Sequence, residues 1–268
     1  LPIEFINTGE LDIKTTYVLP VTIKSVEGIG VLQSAKTYYY VFRGASLINV
    51  VCNISRNRAY PDFKNDSKFN NLTENTMEIL FKANSFPNTL NTLMGIESNY
   101  LLRIGDATIP NNQLQVATSV NNCTSADLQL ESGKWYHVAV AFNKGNVKVY
   151  INGVEKLSGS TVKSSVSLGA KHTNEEDGSR CFWVGYSYKD DRYFDGVVSE
   201  VRIWNRALTA EEIQATNHFY TIEPESEGLI AYWKFDEGSG TVAKDYSVSG
   251  YDLTIEKEPK WESVSLPQ

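Results

Sequence analysis

Apolar and polar positions alternate along this chain with a period of two, and the alternation is clearest in the middle. In residues 135–142 (WYHVAVAF) both alternating faces are apolar, the pattern of a strand inside a sheet, with one face on the core and the other covered. Asn143-Lys144-Gly145-Asn146 then supplies residues suited to the left-handed backbone of a tight turn, and Val147, Val149 and Ile151 alternate with Lys148 and Tyr150. Asn152-Gly153 is the dipeptide that a type I′ hairpin favours, so two consecutive hairpins are predicted. Val197, Val201 and Ile203 mark a further strand. Thr209 stands three residues before Glu212, a capping box that predicts one short helix over residues 209–217 in an otherwise β chain.

Upstream, residues 2–5, 17–23 (YVLPVTI) and 36–42 (KTYYYVF) read as strands, with Gly28-Ile29-Gly30 turning between the last two. So short a piece buries little core alone and must pack on a neighbour or belong to something larger. Downstream, residues 223–228 (EPESEG) form a polar linker with one Pro and three Glu. The organisation expected is therefore an N-terminal β piece over 1–43, a main β domain over 44–222 and a C-terminal β segment over 223–268.

Three runs carry a resemblance: GKWYHVAVAF (133–142), VKVYINGV (147–154) and FDGVVSEVRIWNRALTAEEI (194–213). Their order of strand, hairpin, strand and short terminal helix resembles the laminin-G-like, concanavalin A-like jelly-roll family. The resemblance implies a mainly β, two-sheet sandwich that binds more often than it catalyses. Residues 17–23 and 36–42 resemble the second half of a small immunoglobulin-like domain that precedes such modules on surface lipoproteins of gut bacteria. Residues 228–255 are similar to the run with which laminin-G-like domains usually begin, yet here they stand near the end. A small β appendage is expected there, in preference to permuted strands of the same sandwich.

Composition narrows the partners. Among 268 residues, 15 Tyr, 11 Phe and 5 Trp against 2 Met fit an aromatic, β-rich protein. The 25 Lys+Arg against 32 Asp+Glu give a formal charge of -7, which argues against nucleic acid and anionic membrane surfaces as partners and leaves neutral ligands. No transmembrane run and no charged-then-apolar leader is visible, and a start at Leu1 suggests a processed N-terminus. Cys52, Cys123 and Cys181 lie far apart without metal spacing, so at most one pair can bond.

Catalytic patterns are lacking. The glucanases of this fold place acidic residues at alternating positions of one strand so that two carboxyls converge on the sugar, and no strand here carries that pattern. Glu175-Glu176-Asp177 reads as a solvated loop, His137 as a hydrogen-bonded core histidine, and Cys181 as an inert thiol. No enzyme activity is expected. The family often holds one structural Ca²⁺, and by position its ligands fall on Asp245 and Asp252. Here Val248, Ser249 and Tyr251 replace the usual Gly and Asn residues and Ser199 stands where an Asp often precedes Glu200, so an ordinary turn competes with the ion site.

Sugar rings stack on aromatic faces while their hydroxyls meet carboxylates, amides and guanidinium groups. Residues 182–196 (FWVGYSYKDDRYFDG) mix these types most densely, and Trp183, Tyr186, Tyr188, Asp190, Arg192 and Tyr193 are the candidate ligand-binding residues. The competing reading puts Phe182, Val184 and Tyr186 on an inward face. The resemblance implies a non-catalytic glycan-binding protein at a bacterial cell surface, within a polysaccharide-utilisation system and beside other surface proteins of a glycan-uptake complex. The alternatives are a protein–protein scaffold, which calls for a large apolar patch, and an accessory domain of an atypical glycoside hydrolase, which calls for converging carboxylates.

Overall fold

The structure, a computed structural model, describes residues 16–43, 48–63, 66–169 and 182–267. The chain divides into two compact units, Leu1–Leu47 and Ile48–Gln268. In the first, β1 (Thr16–Thr22) and β2 (Thr37–Arg43) pair antiparallel, from Thr16 opposite Arg43 to Thr22 opposite Thr37, and the connection turns through Gly28 at φ 81°. Both strands fall within a residue of their expected positions. The expected strand at 2–5 lies outside the described residues. Val18, Tyr38, Tyr39 and Val41 of this ribbon are exposed.

The second unit opens with β3 (Ile48–Asn53), β4 (Ala59–Pro61), β5 (Glu74–Ala83), β6 (Asn91–Ile96), β7 (Tyr100–Asp106), β8 (Ile109–Thr118) and β9 (Asn122–Gln129). The expected hairpins follow as β10 (Trp135–Asn143), β11 (Asn146–Ile151) and β12 (Val154–Ser160). Then come β13 (Trp183–Val184), β14 (Gly196–Trp204), helix α1 (Ala210–Ile213), β15 (Leu229–Trp233), β16 (Val242–Ala243), β17 (Leu253–Ile255) and β18 (Lys260–Leu266). A first sheet orders β12-β11-β10-β5-β14-β3-β18, with β15 also on β14; a second orders β16-β17-β4-β13-β6-β7-β8-β9.

The central strand is where its two apolar faces predict it: β10 is paired on one side by β5 and on the other by β11. Lys144 (φ 47°) and Gly145 (φ 97°) make the first turn, and Asn152 (φ 48°) and Gly153 (φ 76°) the second. A Cβ on Gly145 would sit 2.9 Å from the Lys163 carbonyl oxygen, so the turn has no room for a larger residue. Met77, Ile79 and Phe81 of β5 and Val138, Val140 and Phe142 of β10 form the core with Leu102, Ile104, Leu114 and Val116 of the second sheet. Each such side chain, fully buried, stabilises the fold by roughly 1.5 to 3 kcal/mol. On the far side of the first sheet, Ala139, Ala141, Trp204, Leu208, Ile213 and Tyr232 build a smaller apolar layer.

Two expectations need correction. The capping box forms as read, with the Glu212 N–H donating to Thr209 Oγ1 and the Thr209 N–H to Glu212 Oε2, but the helix ends at Ile213 instead of running to 217. Turns follow from Gln214, and at Asn217 the backbone adopts φ 65°, so the chain cannot continue as a helix and His218 is buried. The C-terminal segment is no appendage: β15 pairs with β14, β18 with β3 and β17 with β4, and Trp233, Phe235 and Leu253 are core residues. The sandwich therefore runs from Ile48 to the C-terminal strand, and the expected division at 222/223 falls within it.

Candidate functional site

The two-residue strand β13 turns the 182–196 run into a site. Val184 pairs with Ala59 and points into the core, so Trp183 and its neighbour Tyr60 take the opposite face of the second sheet. Gly185 follows at φ 81°, with Ile54 only 3.1 Å from where a Cβ would stand. The Gly185 N–H donates to the Leu93 carbonyl and the Phe194 N–H to the Gly185 carbonyl, both at 2.9 Å, closing the loop at its base. Tyr186 thereby folds back on Trp183, ring centroids 5.3 Å apart at 85°, and Tyr193 packs on Tyr186 at 4.8 Å. Tyr60 meets Trp183 edge-on at 5.1 Å.

A guanidinium caps this aromatic group. Arg58 lies 4.8 Å from the Trp183 ring centroid and 4.6 Å from that of Tyr186, and its Nη2 donates to Glu256 Oε1 at 2.5 Å. Asn57 sets it there: its side-chain amide donates to the Lys257 carbonyl at 2.7 Å and its Oδ1 accepts the Lys257 N–H at 3.2 Å. The same clasp brings Arg56 and Lys257 to the rim of a cleft of about 680 Å³.

Tyr193 is the aromatic wall of that cleft, and Asp190, Asp195, Ser55, Ser85 and Asn88 supply polar groups. Asp195 accepts from Ser55 Oγ at 2.8 Å, Ser85 Oγ at 2.5 Å and Asn84 Nδ2 at 3.3 Å. Burial opposes its ionisation, but the hydrogen bonds from Ser85, Ser55 and Asn84 outweigh that and hold the carboxyl below the usual aspartate range. It is a fixed carboxylate ringed by donors. Asn88 Nδ2 donates to the Tyr193 carbonyl at 3.0 Å, tying the two sides of the cleft together.

The six residues expected to bind ligand thus separate. Tyr193 and Asp190 line the cleft. Trp183 and Tyr186 are only 2% and 4% exposed, so neither offers a ring face to a ligand; they form the floor beneath Tyr193, a correction to their expected role. Tyr188 and Arg192 satisfy each other, Arg192 Nη2 donating to the Tyr188 hydroxyl at 3.0 Å with the guanidinium 5.0 Å from the ring centroid, and neither lines the cleft. Sequence reading missed Arg58, Tyr60, Ser55, Ser85, Asn88 and Lys257, which reach the site through pairings that no local pattern announces.

The expected calcium ligands do another job. Asp245 is buried, its Oδ1 accepting the Tyr232 N–H at 3.0 Å and the Ser247 N–H at 2.8 Å, its Oδ2 the Tyr251 N–H at 2.8 Å. The exposed Asp252 accepts the Asp245 N–H at 2.8 Å, and Gly250 takes φ 68°. Both carboxylates are loop caps facing N–H donors. Ca²⁺ takes six to eight oxygens, and a carboxylate whose two oxygens face three N–H groups does not fit it. The Glu175-Glu176-Asp177 loop and Cys181 lie outside the described residues, while Cys52 and Cys123 are buried free thiols.

Residues 57–214 match the concanavalin A-like lectin/glucanases superfamily. The chain belongs to that family. Among solved structures it is similar to a Bacteroides ovatus protein provisionally named as carbohydrate binding, with 26% identity over 95% of this chain and 70% of that one, at a TM-score of 0.74. It also aligns with domain 4 of a GH43 extracellular arabinanase from Geobacillus stearothermophilus in complex with arabinotriose, at 20% identity over 80% of this chain and 91% of that one. A SAP-like pentraxin from Limulus polyphemus aligns at 15% identity over 64% and 82%. The last two reach TM-scores of only 0.47 and 0.45 and carry no functional inference. No curated protein matches the chain. Among the described residues no helix is long and apolar enough to cross a membrane.

Proposed function

We propose that this chain is a non-catalytic glycan-binding module and that its ligand lies in the cleft beside Tyr193. The observation that carries the reading is the convergence of one half-buried aromatic wall with the Asp190, Asp195, Ser55, Ser85 and Asn88 side chains on a cleft of about 680 Å³. That volume lies within the range of small-ligand sites, about 300 to 1,000 Å³. A tyrosine face for the C–H surface of a sugar, with fixed acceptors and donors for its hydroxyls, is the chemistry a neutral oligosaccharide needs. The likeness to the Bacteroides ovatus protein supports the carbohydrate-binding part of this reading; an extracytoplasmic place on a bacterial surface within a glycan-uptake system belongs to the same proposal.

A glycosidase needs an acid whose pKa is raised beside an ionised carboxylate, and the hydrogen bonds to Asp195 shift it the other way, so Asp195 does not serve as the acid. The scaffold alternative calls for a broad apolar patch, and the cleft lining is mixed and polar. A glycan array followed by calorimetry on the hit tests the proposal. Shallow sites of this kind bind in the high micromolar to millimolar range, about -4 to -6 kcal/mol, and Asp195→Asn in a folded protein should weaken the hit. A confirmed glycan whose affinity is untouched by both Tyr193→Ala and Asp195→Asn would place the site elsewhere.

A further inference from the structure

On the far face of the first sheet, beneath the segment that follows β14, three metal-ligating side chains meet. Glu78 of β5, His137 of β10 and His218 place one ligand atom each within 4.8 Å of one another, and all three residues are buried. His218 Nε2 lies 2.6 Å from Glu78 Oε1, and His137 Nε2 lies 3.4 Å from the same oxygen. Two ligands bonded to one ion at about 2.0 to 2.1 Å in tetrahedral geometry sit about 3.3 Å apart. His137 already stands at that spacing from Glu78, His218 would have to withdraw by less than 1 Å, and the two imidazole nitrogens, which with the carboxylate oxygen span up to 4.8 Å, would have to draw together around the ion.

Three independent features fit an ion between them. First, neither ring nitrogen of His137 makes a well-aligned hydrogen bond although the residue is 0% exposed: Nε2 has only the Glu78 contact at 3.4 Å, and a buried imidazole so poorly satisfied is expensive. Second, the other oxygen of Glu78 is held from behind: Trp204 Nε1 donates to Oε2 at 2.7 Å, and Arg202 Nη1 stands 3.7 Å from it, which aims Oε1 at the two imidazoles. Arg202 Nη1 also donates to the His218 carbonyl at 2.7 Å, and the His137 ring stacks on Phe219 at 4.5 Å and 16°, so both imidazoles are mounted on fixed supports. Third, Glu78 is the carboxylate without a close cation of its own: Arg202 pairs with Glu200, which also accepts from Tyr232 at 2.6 Å and feels Lys234, and Arg202 stands 3.7 Å from Glu78.

We propose that Glu78, His137 and His218 form a buried three-ligand site for a zinc-class divalent ion, which pins the segment carrying His218 onto the first sheet. Two imidazole nitrogens and one carboxylate oxygen select Zn²⁺, Co²⁺ or Ni²⁺ over Ca²⁺ and Mg²⁺, which prefer all-oxygen shells. The site lies on the outer face of the first sheet, and none of its three residues lines the Tyr193 cleft.

The test uses the full chain, stripped with chelator and titrated with Zn²⁺ in a calorimeter and with Co²⁺ in an absorption spectrometer. One ion per chain, visible d–d bands from Co²⁺ and a higher Tm with Zn²⁺ are expected. His137→Gln and His218→Gln should each lower affinity at least about tenfold, and His172→Gln, at the third histidine of the chain, should not. If those variants fail to fold, the wild-type Co²⁺ bands still decide the matter. A wild-type chain with no Co²⁺ bands and a Tm indifferent to Zn²⁺ overturns the proposal. Bands that persist in folded His137→Gln and His218→Gln overturn it equally, as binding elsewhere.

Discussion

Trp183→Ala and Tyr193→Ala should fail in opposite ways, because one ring is the floor of the cleft and the other its wall. An indole buries about 200 Å², which at about 25 cal/mol per Å² is about 5 kcal/mol before allowing for a compact denatured chain. The edge contacts of Trp183 with Tyr60 and Tyr186 and the guanidinium of Arg58 at 4.8 Å add to the loss, while partial collapse of the cavity reduces it. A cost of about 3 to 5 kcal/mol results, or a fall in Tm of roughly 6 to 20 °C for a unit of this size. Tyr193 is half-buried with one packed neighbour, Tyr186 at 4.8 Å, so its removal should cost only about 1 kcal/mol of stability. It should nevertheless weaken glycan binding by about 1 to 2 kcal/mol, roughly 5- to 30-fold. Urea or thermal denaturation gives the first pair of numbers and calorimetry against the array hit the second. The reasoning is refuted if Trp183→Ala melts like the wild type while losing the ligand, since a floor residue cannot do that.

Further outcomes follow from the same geometry. Asp195 has a depressed folded pKa, so its stabilisation is present above the ordinary carboxylate range and is lost as pH falls into and below it; Asp195→Asn should cost about 1 kcal/mol near neutrality and flatten that acid limb, and an unchanged limb would mean that the Ser55 and Ser85 bonds contribute nothing. Asp245→Ala should cost about 2 to 4 kcal/mol by stranding three backbone N–H groups, while Ca²⁺ added to the chelator-stripped chain should leave its Tm in place; a Tm raised by Ca²⁺ would restore the calcium site. Incubation with plant and mucin polysaccharides should return only input on chromatography, and oligosaccharide release abolished by Asp195→Asn would make the module an enzyme.

The features legible in the sequence are those set by neighbours a few residues apart. The β10–β11–β12 hairpins followed from period-two alternation and from turn dipeptides whose backbone requirements are local, and the Thr209/Glu212 capping box followed from a three-residue spacing. The end of α1 did not, because it is dictated by where His218 must go, and that destination is built from Glu78 and His137 on other strands. The C-terminal segment was misjudged for the same reason: Trp261 pairs with Cys52 and Leu253 with Pro61 across most of the chain, and no linker composition reveals such a partner.

Alternation also fixes which residues share a face without saying what covers that face. Trp183 was correctly separable from Val184, yet the outward side of β13 is itself roofed by Tyr186 once Gly185 turns the chain back, so a residue of the right chemical type became support instead of contact. The cationic rim of the cleft depends on Asn57 clasping Lys257 from 200 positions away. The candidate site is therefore announced by an aromatic-rich run but assembled by long-range pairing. Its specificity should move with the Asn57 clasp and the Asp195 hydrogen bonds more than with the buried rings that first draw the eye.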